Sequence, residues 1–454
     1  MTVQRQTYAQ HARAVLTLGL PLVGSHLAQV GINLTDTIML GWYDLEVLAG
    51  QVLGGMIFFI TFIAGSGFAW AITPLVAEAE GRGDTTQARR VTRMSLWIVI
   101  GYAVALVPVM LSAPAILRLA GQEAHLADIA GQYLSIAGWS LAPALAVMVL
   151  KSHLSALERA NVVLWVTLAA VAVNALGNYA LIFGHWGMPE LGVRGSAIST
   201  LLVHVVSLLL LMAYVRRATP EHQLFRRFWR ADPEALGTVF RLGWPIGLTT
   251  LAEVGLFASA SLMMGWIGPL DLAAHGIAIQ IASMAFVVHV GLSNTATIRV
   301  GRAVGRNDPE GLKRGAHVVL ALSAVAVAVT VLLFLLLPET LIGLFTDPAD
   351  PDRDAVIAIG VQLLAAAALF QAADAAQVMA LGLLRGIRDT KVPMIFAGIS
   401  YWVLGMPASY LLGFVLGWGG VGIWLGLALG LGAAGATMMT RFWTRSLGTA
   451  PVPA

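Results

Sequence analysis

Three carboxylates stand where chemistry would be expected, inside long apolar runs: Asp36 in LTDTIMLGW (34–42), Glu253 in TLAEVGLFAS (250–259) and Asp374 in FQAADAAQVMA (370–380). The rest of the 24 Asp and Glu fall in breaks between such runs or at their ends. A carboxylate in the middle of an apolar helix costs about 2.5–3.5 kcal/mol on insertion scales. No Lys or Arg is expected deep within any run, so none of the three has a permanent positive partner in its own helix or an obvious one elsewhere. Such an acid must take up a proton, bind a metal cation or bind a cationic ligand. The plainer alternative is a permanently protonated acid that hydrogen-bonds a neighbouring helix.

Other polar residues in the runs carry a weaker signal. Gln29, Asn33, Asn174, Asn178, Gln280, Ser283 and Asn294 are candidates to line a cavity, and equally to hold helices together by hydrogen bonds. His26, His204 and His289 could relay protons or simply pack. Met148, Met263, Met264 and Met284 could offer adaptable apolar surface or fill a core. The chain has no cysteine, which excludes disulfides and thiolate metal sites. It also lacks a phosphate-binding Walker loop, a nucleophile elbow, an HExxH pair and a His/Asp metal cluster. These absences weigh against ATP-driven pumping and intramembrane hydrolysis. The expectation is a protein that is not an enzyme, with no cofactor beyond a coupling ion.

The elements that must position these residues follow from composition. Of the 454 residues, 58% are hydrophobic and 11% charged, where soluble domains run at roughly 25% charged. The apolar runs are as long as a helical membrane span requires, and they lack the ten-residue alternation of a membrane barrel. About twelve spans are expected, near 14–41, 46–76, 92–117, 127–151, 161–184, 192–215, 237–267, 272–299, 316–338, 355–384, 392–416 and 419–441. With the N-terminus inside, all but Arg118, Arg194 and Arg353 of the 27 Lys and Arg fall in inside tails and loops. Both termini are therefore expected in the cytoplasm. The bases are spread over successive loops, which argues topology and not a nucleic-acid patch. The N-terminus lacks the order of features of a signal peptide.

The chain also repeats itself. LGLPLVG (18–24) matches LGWPIGL (242–248), MLGW (39–42) matches MMGW (263–266), and VAEAEGRGD (76–84) matches VGRAVGRND (300–308). All three pairs keep one offset of 224 residues, as in Pro21 with Pro245 and Asp84 with Asp308. The longest hydrophilic stretch, RRATPEHQLFRRFWRADPEA (216–235), lies between the halves. The expected architecture is all-α and polytopic, about twelve transmembrane helices in two pseudo-symmetric six-helix lobes. The lobes cover 1–215 and 236–454, and 216–235 forms a cytoplasmic linker. Parallel repeats of this kind characterise transporters with a site between halves near the midplane. Pro21 and Pro245 each free a carbonyl within the first helix of a half and permit a bend there, or a static kink. The acids do not repeat, since Asp36 aligns with Ala260, Glu253 with Gln29 and Asp374 with Pro143. The two halves are thus expected to hold non-equivalent sites.

At this level the chain resembles the multidrug and toxic compound extrusion (MATE) family, in its NorM-like branch. The likeness is carried by DTIMLGWYDLEVLAG (36–50), TPLVAEAEGRGD (73–84), LAAHGIAIQIASM (272–284), IRVGRAVGRND (298–308), DAAQVMALGLLRGIRDTKVP (374–393) and SYWVLGMPASYLLG (400–413). The resemblance implies two lobes about a central cavity, alternating access, and export of organic cations against entry of Na+ or H+. It implies a cation site at Glu253 and Asp374, metal ligands if Na+ is the ion. It implies that Asp36 takes part in proton coupling or substrate binding, and that all three acids contact substrate or ion. Phe370 stands where some relatives carry Tyr and Gly276 where many carry Gln, so two oxygen ligands are missing and H+ stays open beside Na+. A monomer in the bacterial inner membrane is expected, with the lipid bilayer and organic cations as partners and no nucleic acid. Two alternatives are a lipid-linked oligosaccharide flippase, which would need a cationic cavity, and a non-transporting membrane scaffold, in which the acids would be dispensable.

Overall fold

The protein is described from a computed structural model covering residues 7–448, with 1–6 and 449–454 outside the description. Arg5 and the positions of the two extreme termini therefore lie outside the described residues. Among the described residues, twelve helices are long and apolar enough to cross a membrane: α1 (Tyr8–Tyr43), α2 (Leu45–Arg82), α3 (Thr85–Leu111), α4 (Ala124–Ala156), α5 (Ala160–Ile182), α6 (Val193–Ala218), α7 (Pro233–Ile267), α8 (Pro269–Gly305), α9 (Pro309–Leu336), α10 (Arg353–Gly386), α11 (Lys391–Val415) and α12 (Gly419–Arg445). No strand occurs among the described residues. Each expected span corresponds to one of these helices. Several helices continue past the apolar run into charged sequence, as α2 does to Arg82 and α8 to Gly305. The third expected span instead runs past the end of α3 into a separate short helix, Ala113–Leu119.

The ends of the helices explain the repeated GRGD and GRND motifs. Gly83 closes α2 with φ +74°, and the Asp84 side chain then accepts from the Gln87 amide to cap α3. In the second half Asn307 takes φ +53°, and Asp308 accepts from the Gly311 amide to cap α9. A short acceptor side chain at the first position satisfies an amide that the helix itself cannot. The α4–α5 and α10–α11 turns form a second matched pair, with Glu158 and Arg388 both at φ +60°. The repeat is therefore visible as two pairs of like turns.

Prolines interrupt α1 at Pro21, α3 at Pro108 and α7 at Pro245. Helix α11 carries π-helical turns at Ile399–Gly405 and Leu411–Val415, on either side of Pro407. A residue without an amide hydrogen, whose ring crowds the carbonyl four residues back, favours such a local register shift.

The chain divides into two compact units, Leu20–Gly247 and a second comprising Met1–Gly19 with Leu248–Ala454. Both boundaries fall inside helices, in α1 and α7, each within three residues of Pro21 or Pro245. In the unit 20–247 the hydrophilic segment 216–232 is tied to one face of α3. The Arg90 guanidinium donates to Asp232 through Nε (2.5 Å) and Nη2 (3.0 Å), and also to Glu234 (2.7 Å). One turn on, Arg93 Nη1 donates to the Arg227 carbonyl at 3.2 Å, and Trp97 Nε1 donates to the Phe228 carbonyl at 3.0 Å. Residues 90, 93 and 97 share a face because three- and four-residue steps return to the same side of a helix.

In the other unit α10 is the central helix, packed between α8 and α12. Its glycines allow the approach: a Cβ on Gly382 would fall within the Ser293 side chain of α8. Ser293 Oγ donates to the Val378 carbonyl (2.7 Å) and Thr297 Oγ1 to the Gly382 carbonyl (2.8 Å), so α8 is stitched to α10 along this seam. Asp389, after α10, accepts from Arg441 Nε of α12 at 2.7 Å and lies 3.3 Å from Arg445.

Candidate functional site

In the unit 20–247, the first acid is met by two amides. Asp36 of α1 is buried, with 8% of its surface exposed, and Oδ1 accepts from Asn174 Nδ2 at 2.8 Å and Asn178 Nδ2 at 2.6 Å. The asparagines stand four residues apart on α5, one turn of one face, so both amides reach the same oxygen. Hydrogen bonds to a charged acceptor contribute about 1.5–3 kcal/mol each, which offsets much of the carboxylate's burial. The amide oxygens of Asn174 and Asn178 have no partner. Buried polar atoms are normally satisfied, so two orphan oxygens beside a carboxylate mark a place that favours a cation. Sequence reading named these three residues separately, and the structure brings them together.

A second rung on the same helix faces lies eleven residues away. Ser25 of α1 and Thr167 of α5 approach at 2.9 Å, and Lys151 Nζ of α4 donates to Thr167 Oγ1 at 2.9 Å. A separation of eleven residues on both helices is three turns, about 16 Å. Ile32, Ala170 and Val203 form a buried apolar layer between the two rungs.

In the other unit, Glu253 of α7 and Asp374 of α10 lie close enough to act on each other electrostatically. Asp374 is 2% exposed and its Oδ1 has no partner; Glu253 Oε1 is likewise buried without one. Gln371, on the same face of α10, is fully buried with neither amide atom partnered. Gln377 Nε2 donates to Tyr401 Oη at 2.7 Å, which leaves Gln377 Oε1 unpartnered. The QAADAAQ segment thus places three polar residues at three-residue spacing along one helix, each with a buried oxygen that lacks a donor. Gln371 and Gln377 were missed in the sequence reading. Their spacing about Asp374, inside an otherwise apolar run, was the available signal.

An aromatic wall borders this cluster. Phe370 packs edge-on against Trp424 (5.1 Å between ring centres) and Phe257 (5.9 Å). Trp424 Nε1 donates to His275 Nδ1 at 3.1 Å, so the neutral His275 ring carries its proton on Nε2 and donates to Ser261 Oγ, 3.0 Å away. His289 Nδ1 lies 3.0 Å from Ser323 Oγ, and its Nε2 is buried without a partner.

Some expected residues lie elsewhere. Gln29 and Asn33 are exposed on α1 and Gln280 is exposed on α8, outside the two buried clusters. A Cβ on Gly276 would meet open space. The expectation that no basic side chain enters the spans is also corrected. Lys151 points its ammonium inward to Thr167, and Arg385, in the last turn of α10, acts electrostatically on Glu253. Both were assigned to loops because apolar runs end before helices do: α4 continues to Ala156 and α10 to Gly386.

Comparison with known proteins decides the family. The MatE family model matches twice along the chain, at residues 21–180 and 245–411, one match in each half. The chain belongs to the MatE family. It is 46% identical to the probable multidrug resistance protein NorM of Rhizobium meliloti over 439 residues, 96% of this chain and 94% of the relative. It is 38% identical to the protein of the same name in Pseudomonas putida, over 97% of this chain and 96% of the relative. Two solved structures share the MATE fold. One is described as the outward-facing conformation of a multidrug resistance MATE family transporter, with TM-score 0.85, 20% identity and 97% coverage of both chains. The other is a MATE protein in the bent conformation, with TM-score 0.86, 19% identity and 98% coverage of both chains. The twelve-helix MATE fold and the NorM-like placement thus agree with the sequence reading.

Proposed function

We propose that this MatE-family chain is a cation-coupled antiporter that exports organic cations and other drugs across the bacterial inner membrane. The relatives' names supply the multidrug reading. The observation that carries the coupling is the Glu253–Asp374 pair, with buried unpartnered oxygens on both acids and on Gln371 and Gln377. Two neighbouring carboxylates in a low dielectric do not both stay charged without a cation or proton between them. Na+ and H+ both suit the cluster. The amide oxygens of Gln371 and Gln377 compensate for the ligands that Phe370 and Gly276 do not provide, since a hard cation takes several oxygens. Arg385 opposes cation entry near Glu253 and keeps binding reversible.

Asp36, held by Asn174 and Asn178, is the second cation site, for substrate or for a proton. The acids thus serve both cargo and coupling. Binding of one cation shifts the population between two arrangements only by its differential affinity for them. Two halves, 1–215 and 236–454, joined by the linker 216–235, move as lobes in alternating access. Bending occurs at Pro21 and Pro245, where the compact units divide. Both termini face the cytoplasm and the chain works as a monomer. Export of a fluorescent cation from cells that express Glu253→Gln or Asp374→Asn tests the reading, and undiminished efflux in both variants overturns it.

A further inference from the structure

The last two spans enclose a groove of about 410 Å³ near their charged ends, the start of α11 and the end of α12. Phe396 of α11 lines one side, and Ala436, Thr437, Thr440, Arg441 and Thr444 of α12 line the other. The α12 residues follow at steps of one, three and four, so they share one face of the helix. Ala436 and all three threonines are exposed on that face.

One end of the groove offers donors. Arg441 Nε and Arg445 Nη1 meet the same oxygen of Asp389, at 2.7 Å and 3.3 Å. Two guanidiniums against one carboxylate leave a positive charge. Nη1 and Nη2 of Arg441 make no hydrogen bond among the described residues. They form a fork that matches two phosphate oxygens.

The rest of the polar lining offers acceptors. Thr437 Oγ1 donates to the Ala433 carbonyl at 2.8 Å, Thr440 Oγ1 to the Ala436 carbonyl at 2.8 Å, and Thr444 Oγ1 to the Thr440 carbonyl at 3.0 Å. A hydroxyl has one hydrogen, so each threonine keeps only lone pairs for a ligand. Thr437 and Thr444 are seven residues apart, about 10 Å along the helix. The polar layer on each side of a bilayer is about 5–8 Å thick, so the groove matches the depth of a headgroup. Toward the middle of the span the lining turns apolar. Phe396, Ile399 and Val403 follow at steps of three and four on α11, and Ile399 and Val403 are 54% and 68% exposed.

A ligand that fits carries an anion, hydrogen-bond donors close beside it and a hydrocarbon chain. We propose that this groove holds a phospholipid with an amine headgroup, a phosphatidylethanolamine. Its phosphate lies on the Arg441 fork, its ammonium donates to the threonine oxygens, and an acyl chain runs along Phe396, Ile399 and Val403. Phosphatidylcholine brings the same phosphate but has no N–H to donate. The site uses none of the coupling acids and does not depend on the export reading.

Native mass spectrometry of the purified full chain tests it. The probes are phosphatidylethanolamine, its N,N-dimethyl derivative and phosphatidylcholine, all with the same acyl chains and supplied in equal amounts. Occupancy of the unmutated protein is expected to fall in that order, with phosphatidylethanolamine favoured about fivefold or more over phosphatidylcholine, a result that needs no variant to fold. Thr440→Val with Thr444→Val keeps the shape and removes two acceptors, and is expected to bring that ratio below about twofold. Arg441→Lys keeps the charge and loses the fork, and is expected to weaken all three lipids about threefold or more. Equal occupancy of the three lipids would overturn the proposal, as would a preference unaltered in both variants. Phosphatidylglycerol bound above phosphatidylethanolamine would also overturn it, since the amine would then play no part. A preference that appears only after removal of residues 449–454 would give the groove to the chain's own end and overturn it as well.

Discussion

Asp232→Asn tests whether the central hydrophilic segment is part of the unit 20–247. The side chain of Asp232 is 14% exposed and accepts two N–H bonds from Arg90, and its Oδ1 also accepts from the Ala235 amide at 3.1 Å, which caps α7. The neutral amide keeps the shape, loses the charge and cannot accept the fork of a guanidinium at both atoms. A fork of this burial with its cap contributes about 2–4 kcal/mol. Local opening of the segment should then become roughly 30- to 700-fold more frequent, since each 1.4 kcal/mol is a factor of ten. Hydrogen exchange read by mass spectrometry on peptides across 224–232 should show it, because the Arg226 and Arg230 amides close turns there. The pH dependence has a definite sign. The Arg90 guanidinium holds the Asp232 carboxyl below its ordinary range. The stabilisation is therefore complete above about pH 3.9 and is lost as pH falls through the depressed value. Exchange corrected for intrinsic rate should be flat from pH 8 to 5 in the unmutated protein and rise only in acid, and the variant should lack that acid step. Unchanged protection in Asp232→Asn at neutral pH would refute the reasoning.

Further outcomes follow from the same geometry. Asn178→Ala should weaken binding of a permanent organic cation when Asp36 is present and have no further effect in an Asp36→Asn background; additive effects in that cycle would separate the two residues. Asn33→Ala, on the exposed side of α1, should leave binding within twofold and serve as the control. Gln377→Leu removes the partner of Tyr401 and one unpaired oxygen, and should raise the concentration of coupling Na+ needed for half-maximal efflux about tenfold or more, whereas H+-driven efflux should be little altered if the oxygen serves only a metal ion. Gly382→Val forces α8 off α10 and should lower the melting temperature in detergent, with overpacking worth about 1–3 kcal/mol; a value equal to that of the unmutated protein would contradict the seam.

Much of the fold was legible because the bilayer leaves few alternatives. A run such as 316–338, in which His317, Ser323 and Thr330 are the only polar side chains, can only be a helix in hydrocarbon. The shared offset of Pro21 with Pro245 and of Asp84 with Asp308 exposed the repeat, and the like turns at Gly83 and Asn307 reveal what the motif does. The acids were legible for the same reason, since Asp36 and Asp374 are conspicuous among apolar neighbours. Their partners were not. Whether Asn174 and Asn178 meet Asp36 depends on which faces of α1 and α5 pack together, and helices apolar on all sides carry no periodic signal of facing. Gln371 and Gln377 were obscured because Gln is unremarkable in a helix until both ends of its amide are buried. Lys151 and Arg385 were placed in loops because hydropathy marks where apolar residues stop, and long basic side chains belong to helices that continue beyond that point.

The most direct measurement is dye efflux from proteoliposomes containing the full chain, driven in turn by an imposed Na+ gradient and an imposed pH gradient. It should be compared among the unmutated protein, Glu253→Gln and Asp374→Asn. The account predicts that at least one gradient drives efflux in the unmutated protein and that either substitution abolishes the gradient dependence while the protein still binds dye. Efflux that responds to neither gradient, or that keeps its full gradient response in both variants, would contradict it.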